Sequence, residues 1–353
     1  MSDAFVVNNL PDRTITYQER EYLFFSGTAY LGLPQHPAFQ QLFVESVGRY
    51  GTVFGSSRNG NLQLGIYEEA EAKLAQFVGA ENVLTLSSGM MAGQAVVNVL
   101  RLQKTELIYG PCAHPAIWDG PATALPSMSF ADWAAQLPAQ VQTMPAGPLA
   151  ILLNSIEAVR SEYYTFEWVN ALPDDRAITL VIDDSHGLGV LNNGRGIWPQ
   201  VPKKPNVNLI VTASTAKAMG LPGGAIIGRT ETLAATRKTA FFGACSPIPP
   251  AYLDAYLRAD ALYADRRDKL QQNLLLAEKL LIPTGLFTHA KGYPVFFTEQ
   301  DDLYPFLLER GIFIYSFAYP TATDRANSRI VISAFHEFAD IQKLAEAIYT
   351  YSF

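Results

Sequence analysis

The chain has 353 residues, of which 49% are hydrophobic and 17% charged, and it carries a formal net charge of −7. This length and composition suit a folded protein with one large α/β domain and a smaller second domain. The acidic balance argues against nucleic acid or an anionic membrane as the main partner and favours a small-molecule role. The two cysteines, Cys112 and Cys245, are too few and too far apart for a disulfide framework or a metal cluster.

The N-terminal sequence MSDAFVVNNLPDR lacks the basic start and apolar run of a signal peptide. No apolar stretch in the sequence has the length of a membrane span. We therefore expect a cytoplasmic protein.

Short apolar strands alternate with amphipathic helices over the first two thirds of the chain. The clearest helix is predicted at 67–78, where Ala70, Leu74 and Val78 share one face. Strands are predicted at 82–86, 106–109, 149–153, 178–183, 209–213 and 225–227. This alternation is typical of a mainly parallel sheet with helices on both faces.

The pattern changes after Arg229, where helical stretches are followed by isolated strand segments. Strands are predicted at 293–298, 312–317 and 329–333, and a final helix is predicted at 339–350. We expect a large domain over 46–229 and a smaller, discontinuous domain formed by 1–45 and 230–353.

The segment ITLVIDDSHGLGV places acidic and imidazole groups at the carboxyl end of a predicted strand. In open α/β sheets this edge is where ligands bind. Asp183, the last strand residue, could keep the ring nitrogen of a pyridine cofactor protonated, and His186 could hydrogen-bond its phenolic oxygen. From this segment alone, a turn cap at Asp183 and a satisfied loop histidine at His186 explain the pattern equally well.

The segment LIVTASTAKAMGLPGG continues another strand into hydroxyl residues, one lysine and a glycine pair. Lys217 stands among small and apolar residues, a setting in which a neutral amine that attacks an aldehyde is favoured. Taken alone, a lysine after a strand is more often a solvated charge.

The segment TLSSGMMAGQAVVNVL carries Ser87, Ser88 and Gly89 into a helix. A helix N-terminus of this kind offers backbone N–H groups to a phosphate, although Ser-Gly is also a common plain cap. The glycines of GLGVLNNGRG follow an acidic strand end and lack the spacing of a GxGxxG turn, so we set a dinucleotide site aside.

Together these segments resemble the fold-type I pyridoxal 5'-phosphate (PLP) enzymes, and in particular the α-oxoamine synthases. The resemblance is carried by AYLGLPQHP, GSSRNG, SSGMMAG, HPAIWDG, VIDDSHGLGVLNNGRG, STAKAMGLPGG, CSPIPPA and SRIVISAFH in this order. It implies a PLP-dependent transferase fold, with a mainly parallel seven-stranded sheet, helices on both faces and a smaller α+β domain.

The resemblance also implies roles for individual residues. Lys217 would form the Schiff base with PLP, Asp183 would bind the pyridine nitrogen and His186 the phenolic oxygen. His114 would stack on the cofactor ring, and Arg329 would bind the carboxylate of an amino acid. The phosphate would be bound by Ser88, Gly89, Met90 and Ser214, and by Ser246 of a neighbouring subunit in a homodimer with shared active sites.

Departures from the family pattern lie on the substrate side. Ala29 and Gly93 stand where asparagines are usual, and Tyr67 stands where a histidine is usual. Ala158 begins the segment that replaces the SMDG motif. The segment Tyr319, Pro320 and Thr321 matches a proline-rich family segment only loosely.

The resemblance therefore implies a PLP-dependent acyltransferase that condenses an amino acid with an acyl-CoA. An aminotransferase acting on an amino acid and a keto acid is the alternative, because the same groups serve both reactions. A non-catalytic subunit of the same fold is disfavoured by the presence of Lys217, Asp183 and His186 together.

Overall fold

The computed structural model describes residues 4–318 and 326–352. Tyr319, Pro320 and Thr321, which loosely match the family's proline-rich segment, lie outside the described residues. No helix in these two ranges is long and apolar enough to cross a membrane.

Strands and helices alternate along most of the described chain. The strands are β1 (Thr14–Tyr17), β2 (Arg20–Phe25), β3 (Asn82–Leu86), β4 (Glu106–Tyr109), β5 (Leu149–Asn154), β6 (Ile156–Glu157), β7 (Glu162–Tyr163), β8 (Ile178–Asp183), β9 (Val207–Ser214), β10 (Gly224–Gly228), β11 (Val295–Thr298), β12 (Ile312–Ala318) and β13 (Ala326–Val331). The helices are α1 (Pro37–Tyr50), α2 (Ile66–Val78), α3 (Gly89–Leu102), α4 (Phe130–Thr143), α5 (Thr230–Arg237), α6 (Ala240–Ala244), α7 (Pro250–Arg258), α8 (Asp260–Leu281), α9 (Leu303–Glu309) and α10 (Phe338–Ser352).

The large sheet has the strand order β3-β10-β9-β8-β5-β4. Strands β9, β8, β5 and β4 pair in parallel, and β10 runs antiparallel to both of its neighbours. The expected count of seven strands is wrong, since the sheet has six in the described part of the chain. These six are the segments that the apolar pattern predicts, and no further described segment pairs with them.

The small sheet has the order β1-β2-β12-β13-β11. Its first hairpin is absent from the sequence prediction. Strands β1 and β2 are joined through Gln18 and Glu19, which have φ angles of 48° and 63°. Such a turn normally carries Asn-Gly or Gly-Gly, so its usual sequence signal is missing here.

The chain divides into two compact units, both discontinuous in sequence. The smaller unit comprises 1–39, 157–162 and 261–353, and the larger one comprises 40–156 and 163–260. These units differ from the expected domain bounds at three places, namely 40–45, 157–162 and 230–260. Residues 230–260 belong to the larger unit, where Lys73 Nζ donates to the carbonyls of Tyr256 and Leu257 at 3.0 Å.

The segment 157–162 belongs to the smaller unit. The Ser161 hydroxyl donates to the carbonyl of Val295 at 2.7 Å and accepts from the Ala290 amide at 3.0 Å. Both partners lie in the same unit, which explains why so short a segment is part of it.

Helix α3 packs on one face of the large sheet and forms its main apolar core. Leu84, Val96, Leu152 and Ile226 are each at most 2% exposed in this cluster. Burial of these side chains holds the strands of the sheet in place against α3, and with them the carboxyl ends of the parallel strands. The candidate site is built on that edge.

Candidate active site

Strand β8 ends at Asp183, which is 7% exposed. Its Oδ1 accepts a hydrogen bond from the backbone N–H of Ser185 at 2.9 Å. The Ser185 hydroxyl in turn accepts from the backbone N–H of Ser214, also at 2.9 Å, at the end of β9. Ser185 therefore joins the carboxyl ends of the two central strands and orients the Asp183 carboxylate.

The adjacent Asp184 has a different environment. Its Oδ2 accepts from the backbone N–H of Ile197 at 2.8 Å, and its oxygens leave no room for a β-carbon at Gly187 or Gly196. Burial is the main cause that raises the pKa of Asp184 to about 7. The glycine-rich segment after the strand thus folds around Asp184.

Lys217 and His186 are brought together at this edge. Lys217 Nζ lies 2.7 Å from His186 Nε2, and both side chains are half-buried. A hydrogen bond at this distance requires one of the two nitrogens to be unprotonated, so the pair does not carry two full charges. Lys217 lies in the turn after β9, three residues beyond Ser214.

His114 faces the same edge from the loop after β4. Its Nδ1 accepts from the Ala116 N–H at 3.1 Å and lies 3.7 Å from Asp183 Oδ2. The pKa of His114 is lowered, mainly because the ring is buried. Asp183 partly offsets this effect, and Lys217 adds to it. Because Nδ1 accepts a hydrogen bond, it carries no proton that could be donated to Asp183. We therefore infer that the His114 ring is neutral and does not form an ion pair with Asp183.

The N-terminus of α3 lies against the end of β9. The Ser88 hydroxyl accepts from the Met91 N–H at 3.1 Å, which caps the helix. A β-carbon on Gly89 would lie 2.8 Å from Ser214 Cβ, so only glycine allows this approach. The first turn of a helix and a strand-end hydroxyl are thereby brought together, as a phosphate site requires.

Two further predicted phosphate residues lie near the surface. Met90 is 47% exposed in the first turn of α3. Ser246 is exposed, and its carbonyl is 3.3 Å from the Cys245 thiol, which also lies 3.2 Å from the Ser87 hydroxyl. Cys245 therefore connects Ser246 to the Ser87 segment.

Arg329 belongs to the smaller unit, on β13, and is 9% exposed. Its Nη1 donates to the carbonyl of Ala158 at 3.3 Å, and its guanidinium lies 4.9 Å from the centre of the Tyr315 ring. The sequence alone suggests a surface position on a strand for this residue. The structure buries it instead.

Two departures from the family pattern have clear structural consequences. The Tyr67 hydroxyl is buried and donates to the carbonyl of Ile248 at 2.8 Å. Gly93 packs so closely on the carbonyl of Ala116 that a β-carbon there has no space. An asparagine at 93 would therefore require the backbone around Ala116 to move.

Sequence reasoning missed Ser185 and Asn154. Asn154 ends β5 opposite Asp183 in the strand register. Its Oδ1 accepts from the His114 N–H at 3.0 Å, and its Nδ2 donates to the Cys112 carbonyl at 2.6 Å. The rule that pointed to Asp183, a polar residue at the carboxyl end of a parallel strand, would also have identified Asn154.

Comparison with known proteins identifies relatives over almost the whole length of this chain. The 8-amino-7-oxononanoate synthase of Nitrosomonas eutropha is 28% identical, over 95% of this chain and 91% of its own length. The enzyme of the same name from Geobacter sulfurreducens is 26% identical, over 95% and 90%. These relatives confirm the resemblance expected from the motifs.

Solved structures show the same fold. Serine palmitoyltransferase of Sphingomonas wittichii has a TM-score of 0.82 and 17% identity, and covers 98% of this chain and 91% of its own. The 8-amino-7-oxononanoate synthase of Francisella tularensis has a TM-score of 0.72 and 23% identity, over 94% and 97%. The family profile "Aminotransferase class I and II" matches residues 49–348, and the chain therefore belongs to this family of PLP-dependent enzymes.

Proposed function

We propose that this chain is a PLP-dependent transferase that condenses an amino acid with an acyl-CoA, as α-oxoamine synthases do. The observation that carries the proposal is the 2.7 Å approach of Lys217 Nζ to His186 Nε2 at the strand edge that also carries Asp183. The 8-amino-7-oxononanoate synthases that align with almost the whole chain support the same kind of reaction.

The residues at this edge fit PLP. The buried carboxylate of Asp183 suits a protonated pyridine nitrogen, and the half-buried amine of Lys217 suits covalent binding of an aldehyde. The close approach of Gly89 to Ser214 brings the N-terminus of α3 next to a strand-end hydroxyl, an arrangement that suits the phosphate. When bound, PLP supplies an electron-accepting ring that weakens a bond at the α-carbon of an amino acid.

The chain's own groups then have separate tasks. Asp183 holds a proton on the ring nitrogen, and its orientation is kept by the Ser185 N–H. His186 orients the phenolic oxygen, and the neutral ring of His114 can stack on a cationic ring without charge repulsion. The Lys217 amine would move protons at the α-carbon.

Arg329 binds the carboxylate of the amino acid in this proposal. A guanidinium offers two parallel N–H groups to a carboxylate, and burial strengthens such a contact. The 9% exposure of Arg329 and its contacts with Ala158 and Tyr315 support a pre-oriented group rather than a mobile surface charge.

A homodimer with shared active sites also belongs to the proposal, with Ser246 donating to the phosphate of the neighbouring subunit. The exposure of Ser246 supports a role outside its own subunit. Mixing inactive Lys217→Ala protein with an inactive Ser246→Asp variant should restore part of the activity, since hybrid dimers contain one intact site. A fully active monomer in sedimentation would contradict it.

An aminotransferase is the second candidate. Tyr67, Gly93 and Ala158 depart from the α-oxoamine synthase pattern at substrate positions, whereas the residues expected to bind the cofactor match it. The two reactions differ in their products. Purified holoprotein is incubated with each α-amino acid and either acyl-CoA or a keto acid. Amino acid-dependent release of free CoA supports the synthase, whereas conversion of the added keto acid to an amino acid without CoA release supports the aminotransferase.

A further inference from the structure

The smaller unit contains a chain of hydrogen bonds that ends at Arg329. The Tyr293 hydroxyl donates to the Ala158 carbonyl at 3.4 Å, and Arg329 Nη1 donates to the same carbonyl at 3.3 Å. The Tyr30 hydroxyl lies 3.3 Å from that of Tyr293. All four residues belong to one compact unit, so their arrangement is fixed within it.

The direction of these hydrogen bonds follows from the chemistry of the groups. A carbonyl oxygen can only accept, so Tyr293 must use its single proton on Ala158. In the contact between the two hydroxyls, Tyr30 is therefore the donor. The order is Tyr30 O–H to Tyr293 O–H to the Ala158 carbonyl, with the arginine donating from the other side.

Burial keeps both hydroxyls protonated. Tyr30 and Tyr293 are 1% and 0% exposed, and desolvation raises the pKa of each. Arg329, which shares the Ala158 carbonyl with Tyr293, acts on the pKa of both tyrosines in the opposite direction. The tyrosines can thus serve as fixed dipoles around the guanidinium over the ordinary pH range.

The segment that carries Ala158 is itself held firmly. Glu157 Oε1 accepts from the N–H groups of Val159 and Arg160 at 2.9 and 3.2 Å. Ser161 is buried at φ 58° and bound to Val295 and Ala290. The carbonyl that Tyr293 and Arg329 share therefore has little freedom to move.

We propose that Tyr293, oriented by Tyr30, is a positioning residue that presets Arg329 for the carboxylate of the amino acid by fixing the Ala158 carbonyl between them. This inference rests on the proposed role of Arg329. A preset guanidinium loses less side-chain entropy on binding a carboxylate than a mobile one. The Tyr293 hydroxyl adds to the contacts that hold the 157–161 segment, so without it the Ala158 carbonyl is fixed less well, the guanidinium gains freedom, and the affinity for the carboxylate falls.

The experiment titrates holoprotein with the α-amino acid that most strongly changes the absorbance of bound PLP, and with the amine that lacks its carboxylate. Tyr293→Phe should raise the apparent Kd of the amino acid about tenfold and leave the Kd of the amine unchanged within twofold, because only the former uses Arg329. Tyr304→Phe, which removes a half-buried hydroxyl elsewhere in the same unit, is the control and should change neither value.

A double variant shows whether Tyr293 acts through Arg329. In an Arg329→Ala background, Tyr293→Phe should cause no further loss of amino acid affinity. If Arg329→Ala weakens the amino acid and Tyr293→Phe does not, the inference is wrong and the proposed role of Arg329 stands. An equal loss for acid and amine, or additive losses in the double variant, also overturns it. If Arg329→Ala has no effect on the amino acid, the proposed carboxylate site itself fails.

Discussion

Gly89 lies so close to Ser214 that a β-carbon on Gly89 would be 2.8 Å from the β-carbon of the serine. The same atom would be 2.9 Å from Ser214 Cα and 3.0 Å from its nitrogen. The contact is with backbone as well as side chain, so a larger residue cannot be accommodated by a rotamer change. The N-terminus of α3 and the end of β9 depend on this glycine for their approach.

We expect Gly89→Ala to lower PLP affinity at least tenfold, because the first turn of α3 must move away from Ser214. Overpacking of this kind also costs about 1–3 kcal/mol of unfolding free energy. The control is Gly48→Ala in α1, where no atom lies within 4 Å of the added carbon. PLP titration of apoprotein should leave that variant unchanged, and equal PLP affinity in both would contradict the expected role of Gly89.

Borohydride reduction of holoprotein should attach the pyridoxyl group to Lys217. The strongest competitor is Lys203, because burial lowers its pKa to about 8 and makes a neutral amine more abundant. Peptide mapping distinguishes the two lysines. Lys217→Ala should abolish the label and Lys203→Arg should not, whereas a label that persists in Lys217→Ala would assign the cofactor to another lysine.

Asp183→Asn should fold normally and lose at least 99% of turnover. The amide keeps an Oδ1 that accepts from Ser185 N–H, so the strand end retains its local hydrogen bond. It carries no charge to stabilise a protonated pyridine nitrogen. Circular dichroism and steady-state rates check both parts. Wild-type turnover in this variant would remove Asp183 from the mechanism.

His336 should make the smaller unit sensitive to acid. It is fully buried, its Nδ1 accepts from the Ser333 N–H at 3.0 Å, and its Nε2 donates to the Phe24 carbonyl at 2.9 Å. Burial is the main cause that lowers its pKa to about 4. Below pH 6.5 this histidine binds a proton in the unfolded chain but not in the folded one. The free energy of unfolding is therefore highest above pH 6.5 and decreases towards pH 4.

Between pH 7 and pH 5 this loss amounts to about 2 kcal/mol. Urea unfolding at several pH values measures it, with His336→Gln as the variant that lacks the titrating ring. We expect a smaller decrease in unfolding free energy with falling pH in the variant. The same decrease in both proteins would mean that other groups cause it.

The edge proposed to bind the cofactor could be predicted from the sequence, because its residues lie at the ends of strands whose apolar pattern is strong. Asp183 ends one such strand and Lys217 lies three residues beyond the next, and the parallel pairing brings the two strand ends to one edge. Arg329 could be assigned only by resemblance, since nothing in its own strand distinguishes a buried from an exposed arginine. Tyr293 and Ala158 are 135 residues apart, and only the folded smaller unit shows that they meet.

Asn154 makes two hydrogen bonds at the site, one through each end of its side-chain amide, and substitutions can remove them separately. Its side chain joins the His114 N–H to the Cys112 carbonyl, and Cys112 has a φ of 56°, which a non-glycine residue adopts only when neighbours hold it. Asn154→Ala should free this turn. We expect a loss of about 2 kcal/mol in unfolding free energy and about a tenfold lower PLP affinity.

Asn154→Asp should separate the two bonds. It keeps the oxygen that accepts from His114 N–H, but it places a carboxylate oxygen against the Cys112 carbonyl and adds a negative charge opposite Asp183. PLP affinity should therefore fall at least as far as in the alanine variant. The control is Asn206→Ala, since Asn206 Nδ2 donates to the carbonyls of Pro173 and Arg176 just before β9, at the amino end of that strand. That variant should lose comparable stability and keep its PLP affinity, so a similar decrease in PLP affinity in all three would show that general destabilisation, and not the position of His114, is the cause.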